Sequence, residues 1–420
     1  MKIVGLITEY NPFHNGHLYH MKEAVRTAGA DAVVAVMSGD FVQRGAPALL
    51  PKHLRARMAL EAGVSAVIEL PVWCACGSAE YFSSGAVSLL DRLGCVDTVC
   101  FGSECGDASL LEEAARVTAL EPAPYRSLLR EGLRRGLSFP RARQLALSSS
   151  LGKEAGCILE EPNNILGAEY IKAILQQGSS LAFCTIRRRE SGYHDQELAD
   201  RYSSATSLRR LLRESGSAGA LDRLDGQMPA SSLRVLRGAY ETRYPVWSDD
   251  LSLLLKYRLL QETKESLAGY ADVTRELANR IVKNRNDLLS FDQFCGLLKT
   301  KEMTHSRISR ALLHILLGIT ARDMERFKQE GCGYARLLGF RRDASALLGI
   351  MKKSSSIPLV TKLPRPGAKS GTGEGEETWT GLARDMLQAD ILAADLYESV
   401  VTEKFHRPFI SEYRQQVVII

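Results

Sequence analysis

Two histidines near the start of the chain, His14 and His17, are the residues whose types and spacing suggest chemistry. Gly16 lies between them, and a glycine lets a ligand approach the backbone closely. At positions i and i+3 of a helix, both imidazoles can lie on one face. Such rings can donate hydrogen bonds to the charge that develops on an α-phosphate while pyrophosphate leaves. The pair predicts a nucleotide-phosphate site with His14 and His17 as catalytic residues.

The residues on either side predict the elements that position this pair. Residues 4–7 form a continuous apolar run, typical of a buried parallel strand, and residues 18–25 have a helical pattern. The histidines then lie where the strand ends and the helix begins. Free backbone N–H groups and the positive end of the helix dipole attract phosphate there. An isolated HxxH is more often a pair of ordinary turn histidines, so this context carries the prediction.

The rest of the first half of the chain alternates strands with helices. Further strands are predicted at residues 31–37, 65–70, 98–101 and 181–186, with helices at 54–62 and 79–93. Continuously apolar strands predict a parallel sheet that is covered on both faces and binds ligands beyond its carboxyl ends. The fold class is therefore α/β, with a Rossmann-like parallel sheet in residues 1–215. A helical insertion is expected at about residues 107–177, starting after the N-cap Asp107.

Strand signals fade beyond residue 215, and a mostly α-helical C-terminal region is expected from 216 to 420. Helical patterns occupy residues 251–260, 273–284, 308–317 and 381–402, and the tail ending at residue 420 is expected to be extended. Residues 361–378 are rich in Gly, Pro, Ser and Thr, which predicts a mobile loop.

The composition is that of an ordinary globular protein. The 420 residues are 45% hydrophobic, which is ample for two or three domains with their own cores. Nine scattered cysteines without paired CxxC spacings indicate reduced thiols and no zinc site. No apolar run reaches the roughly 18–20 residues that span a bilayer. We therefore expect a cytoplasmic protein without a membrane segment.

The formal net charge of +5 permits a polyanionic partner without requiring one. Locally, the stretch from residue 126 to residue 153 contains seven basic residues and a single acidic one, Glu131. It is either a solvated helical face, since arginine is a good helix former, or a surface for RNA phosphates. The basic residues are Arg126, Arg130, Arg134, Arg135, Arg141, Arg143 and Lys153.

A second candidate anion site follows the fifth predicted strand. That strand delivers Arg187, Arg188 and Arg189 to the same edge of the sheet as the histidines. Residues 203–210 then have the pattern of a helix capped by hydroxyl side chains, with two arginines near its positive end.

These motifs resemble the HxGH nucleotidyltransferase superfamily, in which two histidines act at the phosphates of ATP. Residues 14–17 match its first signature, and residues 203–210 resemble its second. Further segments resemble one family in particular, the tRNA(Met) cytidine acetate ligases, and together they cover nearly the whole chain. These segments are residues 5–20, 37–45, 101–104, 162–170, 185–188 and 304–310.

The resemblance implies an ATP-dependent acetylation of RNA. ATP would activate acetate as acetyl-adenylate, releasing pyrophosphate, and the acetyl group would pass to the wobble cytidine of elongator tRNA(Met) to give N4-acetylcytidine. ATP is then a substrate, with Mg²⁺ held mainly by its phosphates, and no residue is assigned as a metal ligand. The helical region, including Arg307 and Arg310 on one helical face, would bind the tRNA.

The resemblance also implies which residues bind ATP. Gly102 would let the nucleotide lie over a strand end, Asn163 would hydrogen-bond the ribose or base, and Arg188 would hold phosphate. Read locally, these three are a turn glycine, a helix cap and a surface charge. The expected ATP-binding residues are Ile7, Thr8, Glu9, Tyr10, Asn11, Pro12, Phe13, His14, Asn15, Gly16, His17, Leu18, Tyr19, His20, Gly102, Asn163 and Arg188.

Glu9 and Lys52 are weaker candidates on their own, because a strand-end carboxylate or a surface lysine is usually just solvated. Three positions depart from the family pattern: Asp40, Ala46 and residues 273–276. They leave the HxGH core intact and bear on the surroundings of Arg44 and on tRNA docking.

Two other functions stay open from the sequence. The first is a small-molecule adenylyltransferase of the pantetheine-phosphate or nicotinamide-mononucleotide type, which leaves the helical half without a role. The second is a catalytically silent RNA-binding protein that holds a nucleotide only as a structural ligand. The oligomeric state is left open.

Overall fold

The computed structural model describes residues 1–152, 156–188, 203–215, 218–363 and 379–420. Its strands are β1 (Ile3–Thr8), β2 (Ala32–Ser38), β3 (Phe41–Val42), β4 (Ala46–Pro47), β5 (Ala66–Leu70), β6 (Thr98–Ser103), β7 (Ala182–Arg187), β8 (Ala335–Phe340), β9 (Leu359–Val360) and β10 (Val418–Ile419).

The α-helices in these ranges divide at residue 215 into those around the first half of the sheet and those of the C-terminal region. The first group is α1 (Asn15–Ala28), α2 (Lys52–Glu61), α3 (Val72–Ala75), α4 (Ala79–Arg92), α5 (Ala108–Leu120), α6 (Ala123–Arg134), α7 (Phe139–Leu151), α8 (Pro162–Gln176) and α9 (Ala205–Ser215). The second group is α10 (Ala230–Ala239), α11 (Ser252–Gln261), α12 (Lys264–Leu267), α13 (Arg275–Asn284), α14 (Phe291–Leu298), α15 (His305–Leu317), α16 (Ala321–Glu330), α17 (Ser345–Ser354) and α18 (Gly381–Phe405).

The main sheet has the strand order β10-β8-β5-β2-β1-β6-β7, with β9 paired to β8. Strands β1, β2, β5, β6 and β7 are parallel, which confirms the five predicted strands and the α/β class. The chain places β2 and β5 on one side of β1, and β6 and β7 on the other. The strand order therefore reverses between β1 and β6, and ligands bind at such a reversal in open α/β sheets.

Both faces of this sheet are buried, which explains the continuously apolar strands. On β2, Val33, Ala35 and Met37 pack in one core with residues of α1 and α2. Val34 and Val36 pack in the other core, with residues of α4 and α8. Since successive side chains of a strand point to opposite faces, neither face of β2 can be polar.

The predicted helical insertion is present as α5, α6, α7 and α8. Asp107 is the N-cap of α5, as expected, because its Oδ1 accepts hydrogen bonds from the N–H groups of Ser109 (3.0 Å) and Leu110 (3.1 Å). None of the helices in the described ranges combines the length and the apolarity needed to cross a bilayer.

The fading of strand signals beyond residue 215 was misleading for part of the C-terminal region. The predicted helices are present, as α11, α13, α15 and α18, but β8 joins the main sheet antiparallel to β5, with Leu337 opposite Ile68. The six residues of β8 are too few to show a distinctive periodicity. Their partner strand, β5, lies about 270 positions earlier in the chain, so local patterns do not indicate the pairing. The predicted mobile loop falls mostly on residues 364–378, which lie outside the described ranges.

Candidate active site

The two histidines cap the first turn of α1 reciprocally. His14 is the N-cap residue, and its Nδ1 accepts a hydrogen bond from Gly16 N–H at 3.0 Å. The Nδ1 of His17 accepts one from His14 N–H at 3.3 Å, and the two ring centroids are 3.8 Å apart. A neutral imidazole whose Nδ1 accepts a hydrogen bond carries its proton on Nε2. Both rings are therefore fixed as Nε2–H donors.

The expectation of free backbone N–H groups at this turn is wrong for residues 14–17. The N–H groups of His14 and Gly16 donate to the two ring Nδ1 atoms. Asn15 N–H donates to the Gln227 carbonyl (3.1 Å), and His17 N–H donates to the His14 carbonyl (2.9 Å). The reason is that the imidazoles and a distant turn already cap the helix. The donors that this turn offers to a phosphate are the ring Nε2–H groups.

Burial keeps these histidines neutral. Desolvation and, to a lesser extent, the charges of Arg188 and Arg209 lower the pKa of His14 to about 3. Desolvation also lowers the pKa of His17 well below its usual value and that of His20 to about 4. Part of this desolvation comes from Tyr10 and Phe13, whose ring centroids lie 5.0 and 5.6 Å from that of His17. At neutral pH these three imidazoles are therefore uncharged.

Gly102 and Arg188 meet next to the histidines, at the ends of β6 and β7. A Cβ added at Gly102 would lie 3.6 Å from Arg188 Cγ and 3.9 Å from His20 Cδ2, which is ordinary contact. Packing against the described neighbours therefore does not require a glycine at position 102, and the expectation of a nucleotide over the strand end stays a prediction. The Arg188 charge lies close enough to lower the pKa of all three histidines. Arg189 lies outside the described residues.

Asn163 lies in the first turn of α8 and is tied to the loop after β6. Its Nδ2 donates to Glu104 Oε1 at 2.5 Å, and the neighbouring Asn164 accepts from the N–H groups of Glu104 (3.0 Å) and Cys105 (3.1 Å). These bonds hold the start of α8 at the same edge of the sheet as Gly102. The structure thus brings Asn163 to the site, while its contact with ribose or base stays a prediction.

The second motif contacts the first, as a shared phosphate site requires. In α9, which begins at Ala205, the Arg209 guanidinium donates to the carbonyl oxygen of Asn11 at 2.8 Å. The hydroxyl of Ser204 accepts from Ser207 N–H at 3.1 Å, which confirms the predicted hydroxyl cap. All the expected ATP-binding residues lie around the ends of β1, β6 and β7; they are Ile7 to His20, Gly102, Asn163 and Arg188.

Two elements of the site escaped the sequence reasoning. The turn at Gly226 and Gln227 bridges both motifs: Asn15 Nδ2 donates to the Gly226 carbonyl (2.6 Å), and Ser203 N–H donates to Gln227 Oε1 (3.3 Å). No local signal marks that turn, because its partners lie over 200 and about 25 residues away.

The other missed residue is Arg55, which is completely buried in α2. Its Nη1 donates to the carbonyl oxygens of Glu9 (2.7 Å) and Ser38 (3.0 Å), and its Nη2 to that of Gly39. It therefore joins the carboxyl ends of β1 and β2. Nothing in the sequence distinguishes it from Arg57, which is exposed on the same helix.

Lys52 is not solvated, contrary to expectation. Its side chain is 1% exposed, and its Nζ lies 2.7 Å from Glu69 Oε1 and 2.8 Å from Glu412 Oε1. Burial alone would lower the Lys52 pKa, but these two carboxylates outweigh burial and raise it. We call this group the buried ion cluster; its members are Lys52, Asp40, Glu69, Arg336 and Glu412.

Asp40, one of the departures from the family pattern, is also accounted for here. Its Oδ1 accepts a hydrogen bond from Lys52 N–H at 2.7 Å at the start of α2. The carboxylate thereby satisfies a helix N–H group that would otherwise be buried without a partner.

The proposed tRNA residue Arg310 is engaged within the protein. Its Nε lies 3.2 Å from Asp272 Oδ2, and its side chain is 12% exposed. The preceding Ser309 donates from its hydroxyl to the Gly45 carbonyl at 2.6 Å. A Cβ on Gly45, whose φ is +78°, would lie 2.4 Å from Arg310 N, so only glycine lets this loop reach α15. This part of the motif docks the loop between β3 and β4.

The basic stretch of the insertion contains both arginines that are paired within the protein and arginines that are exposed. Arg143 pairs with Glu169 at 2.7 Å and is nearly buried, whereas Arg126, Arg130 and Arg134 stay exposed on α6. Lys153 lies outside the described residues. All nine cysteines are free thiols, as expected.

A mostly parallel sheet with paired HxGH histidines at its reversal point defines a nucleotidyltransferase-type α/β protein. In agreement, residues 1–410 match the model of the HIGH Nucleotidyl Transferase family. The tRNA(Met) cytidine acetate ligase of Acetivibrio thermocellus is 39% identical over 424 residues, covering 100% of both chains. That of Alkaliphilus metalliredigens is 37% identical, covering 96% of this chain and 95% of the relative. The chain therefore belongs to the HIGH nucleotidyl transferases and, among them, to the tRNA(Met) cytidine acetate ligase family.

Two solved structures share the whole architecture. The apo crystal structure (form I) of Thermotoga maritima TmcAL superposes with a TM-score of 0.90 at 32% identity, covering 100% of both chains. The structure of Thermotoga maritima TmcAL bound with alpha-thio ATP (form II) superposes with a TM-score of 0.87 at 32% identity, covering 100% of this chain and 99% of that chain.

Proposed function

We propose that this protein is an ATP-dependent ligase that acetylates the wobble cytidine of elongator tRNA(Met) through acetyl-adenylate. The observation that carries the proposal is the reciprocal capping of His14 and His17, which fixes two neutral Nε2–H donors beside Arg188. Relatives that match along the full length bear the name of this activity, and the structural neighbour bound to alpha-thio ATP supports ATP as the nucleotide.

In the first step, a carboxylate oxygen of acetate attacks the α-phosphorus of ATP. An oxygen–phosphorus bond to acetate forms, the bond to the bridging oxygen of the β-phosphate breaks, and pyrophosphate leaves with the electron pair. Negative charge builds on the non-bridging α-oxygens, where the Nε2–H groups of His14 and His17 can donate. Because both rings start neutral, they stabilise this charge without giving up a proton.

In the second step, the exocyclic N4 amine of the cytidine attacks the acetyl carbonyl carbon. The bond from this carbon to the phosphate oxygen breaks, AMP leaves, and the nitrogen loses one proton to yield the amide. We propose that residues 1–215, with the insertion at about 107–177, perform the adenylation and that residues 216–420 bring the tRNA. The anticodon loop is single-stranded, so presenting its base costs little.

Mg²⁺ enters this proposal as part of the substrate, bound to the ATP phosphates. Magnesium commonly keeps several waters and is bound by substrate phosphates with only one or two carboxylates. Among the described residues, no group of three or more His, Cys, Asp and Glu side chains is arranged to hold a metal ion. We place the reaction in the cytoplasm, where tRNA and ATP are available.

The test uses the purified full chain with ATP, Mg²⁺, radiolabelled acetate and total tRNA. We expect acetate-dependent pyrophosphate release and label in tRNA(Met), with mass spectrometry locating N4-acetylcytidine at the wobble position. Unlabelled RNA would refute the proposal. Pyrophosphate release driven by phosphopantetheine or nicotinamide mononucleotide, and not by acetate, would instead support a small-molecule adenylyltransferase.

A further inference from the structure

A pocket of about 450 Å³ lies between the end of α9, the turn after α10 and the end of α18. The surface combines aromatic rings with basic side chains, and none of these residues was singled out from the sequence. We call it the aromatic pocket and define it by Arg213, Tyr240, Trp247, Lys404 and Phe405.

The aromatic pocket is lined by the end of α9, the helix that also contacts the loop after β1. Arg209 of this helix donates to the Asn11 carbonyl at 2.8 Å, and Arg213 follows one turn later. One turn of an α-helix rises about 5.4 Å, so the two arginines are about that far apart along the helix axis. The same helix therefore borders both the turn that carries the histidines and the aromatic pocket.

The charges of the aromatic pocket do not favour a polyphosphate. The Arg213 guanidinium lies 3.2 Å from both Asp249 and Asp292, and Lys404 Nζ lies 2.6 Å from Asp250. Glu241 adds a further carboxylate to the lining. The two cations therefore face four carboxylates, and this excess of negative charge disfavours an anion and makes a neutral, flat group the better fit.

The rings of the aromatic pocket are partly exposed to solvent. Tyr240, Trp247 and Phe405 are each only partly buried, and the Arg213 guanidinium lies 5.7 Å from the Trp247 ring centroid. Partly exposed aromatic rings beside arginine are the surface on which unpaired bases of single-stranded RNA stack. We infer that the aromatic pocket binds an unpaired base of the acceptor tRNA, next to the cytidine that reacts. The inference rests on the proposed function, because it takes the acceptor to be RNA.

The experiment uses the full chain and an anticodon stem-loop in which 2-aminopurine replaces one unpaired loop base at a time, leaving the wobble cytidine intact. We expect wild-type protein to change the fluorescence at one position, as stacking does. Trp247→Leu and Phe405→Leu keep apolar volume but remove a ring, so each should abolish this change and weaken tRNA binding about five- to hundredfold. Thermal melting shows that each variant is folded, and two separate variants guard against one that is not.

The matched control is Tyr257→Leu, which removes a ring that is 64% exposed on α11 outside the pocket. This variant should bind tRNA with wild-type affinity and change the 2-aminopurine fluorescence of the stem-loop as wild type does. Because stacking carries no charge, the ratio of variant to wild-type Kd should stay constant across a salt titration. Equal affinity and equal fluorescence in both pocket variants would overturn the inference, as would a ratio that falls towards one with added salt.

The two proposals fail in distinguishable ways. If wild-type protein does not acetylate tRNA, the proposed function is wrong. If wild type acetylates tRNA and the pocket variants bind and stack as it does, the proposed function stands and only the base pocket is wrong.

Discussion

The carboxyl edge of the sheet carries two buried polar regions, and they differ in how their polar atoms are satisfied. At the turn before α1, desolvation keeps His14 and His17 neutral, and only their Nδ1 atoms accept bonds from the protein. In the buried ion cluster, Lys52 faces Glu69 and Glu412 at 2.7 and 2.8 Å. The first region keeps its donors for a ligand, whereas the second uses its charges within the fold. Burial alone therefore does not indicate function; the state of the remaining donors does.

The largest effect should come from breaking the buried ion cluster. Lys52→Met removes one of the two buried cations that pair with Glu69 and Glu412, the other being Arg336, and breaking a buried ion pair typically costs about 3–5 kcal/mol. Urea unfolding should show this loss, while the folded protein binds ATP with unchanged affinity. Lys352→Met, at an exposed position of α17, serves as the control and should leave stability unchanged. A weaker ATP affinity in folded Lys52→Met protein would erase the distinction between the two regions.

The histidine turn should show the opposite result, lost rate with retained stability. His14→Asn keeps a good N-cap residue but removes the Nε2 donor, and His17→Gln keeps a capping-box acceptor for His14 N–H but removes the second ring donor. Each should lower acetate-dependent pyrophosphate release by about 10²–10³, the usual effect of losing one transition-state donor. Binding of tRNA should survive in both variants.

The control for these variants is His305→Ala, at an exposed position at the start of α15, which should release pyrophosphate at the wild-type rate. Wild-type rates in His14→Asn would show that the ring caps the helix and does nothing more.

A smaller effect is expected where the second motif contacts the first. Arg209→Met removes the bond to the Asn11 carbonyl and a positive charge close enough to His14 to lower its pKa. A hydrogen bond to a charged group contributes about 1.5–3 kcal/mol, so the KM for ATP should rise about ten- to hundredfold. Arg210→Met removes the neighbouring arginine, which pairs with Glu214 on the surface, and should change this KM little. Equal effects of the two substitutions would contradict a specific role for Arg209.

The smallest effect separates the two regions by pH. The pKa of His14 is about 3 in the folded state, below its unfolded value near 6.5, so the unfolded chain takes up the proton first as pH falls. Stability is lost from about pH 6.5 downward, by about 1 kcal/mol for this residue at pH 5.5. Urea unfolding at pH 7 and at pH 5.5 should show a larger loss of unfolding free energy between these values in wild type than in His14→Asn.

The buried ion cluster should respond in a lower pH window. Burial opposes ionisation of Glu412, but Lys52, His53 and Arg336 outweigh burial and lower its pKa. Its contribution is complete above the unfolded pKa of about 4.5 and is lost as pH falls below that value. Glu412→Gln should therefore leave the slope between pH 7 and 5.5 as in wild type. A changed slope in that range would show that the two regions titrate together.

The parts of the site that were predictable share a short range in sequence. Residues 4–7, the HxGH turn and residues 18–25 predict a strand, a turn and a helix from neighbours only, and these elements are present. The cap of α9 at Ser204 was predictable for the same reason. The contact between Arg209 and Asn11 spans 198 positions, so local pattern could suggest a second anion site but not its partner.

The sequence by itself determined the five parallel strands, the placement of the histidines at a strand end and the family. These follow from apolar periodicity and from motifs whose members are adjacent. The tertiary structure decided that Lys52 is buried, that Arg55 joins two strand ends, that Arg310 pairs with Asp272 and that β8 enters the sheet. A charged side chain becomes structural or available only through partners that folding brings from distant positions, and single-chain patterns carry no record of those partners.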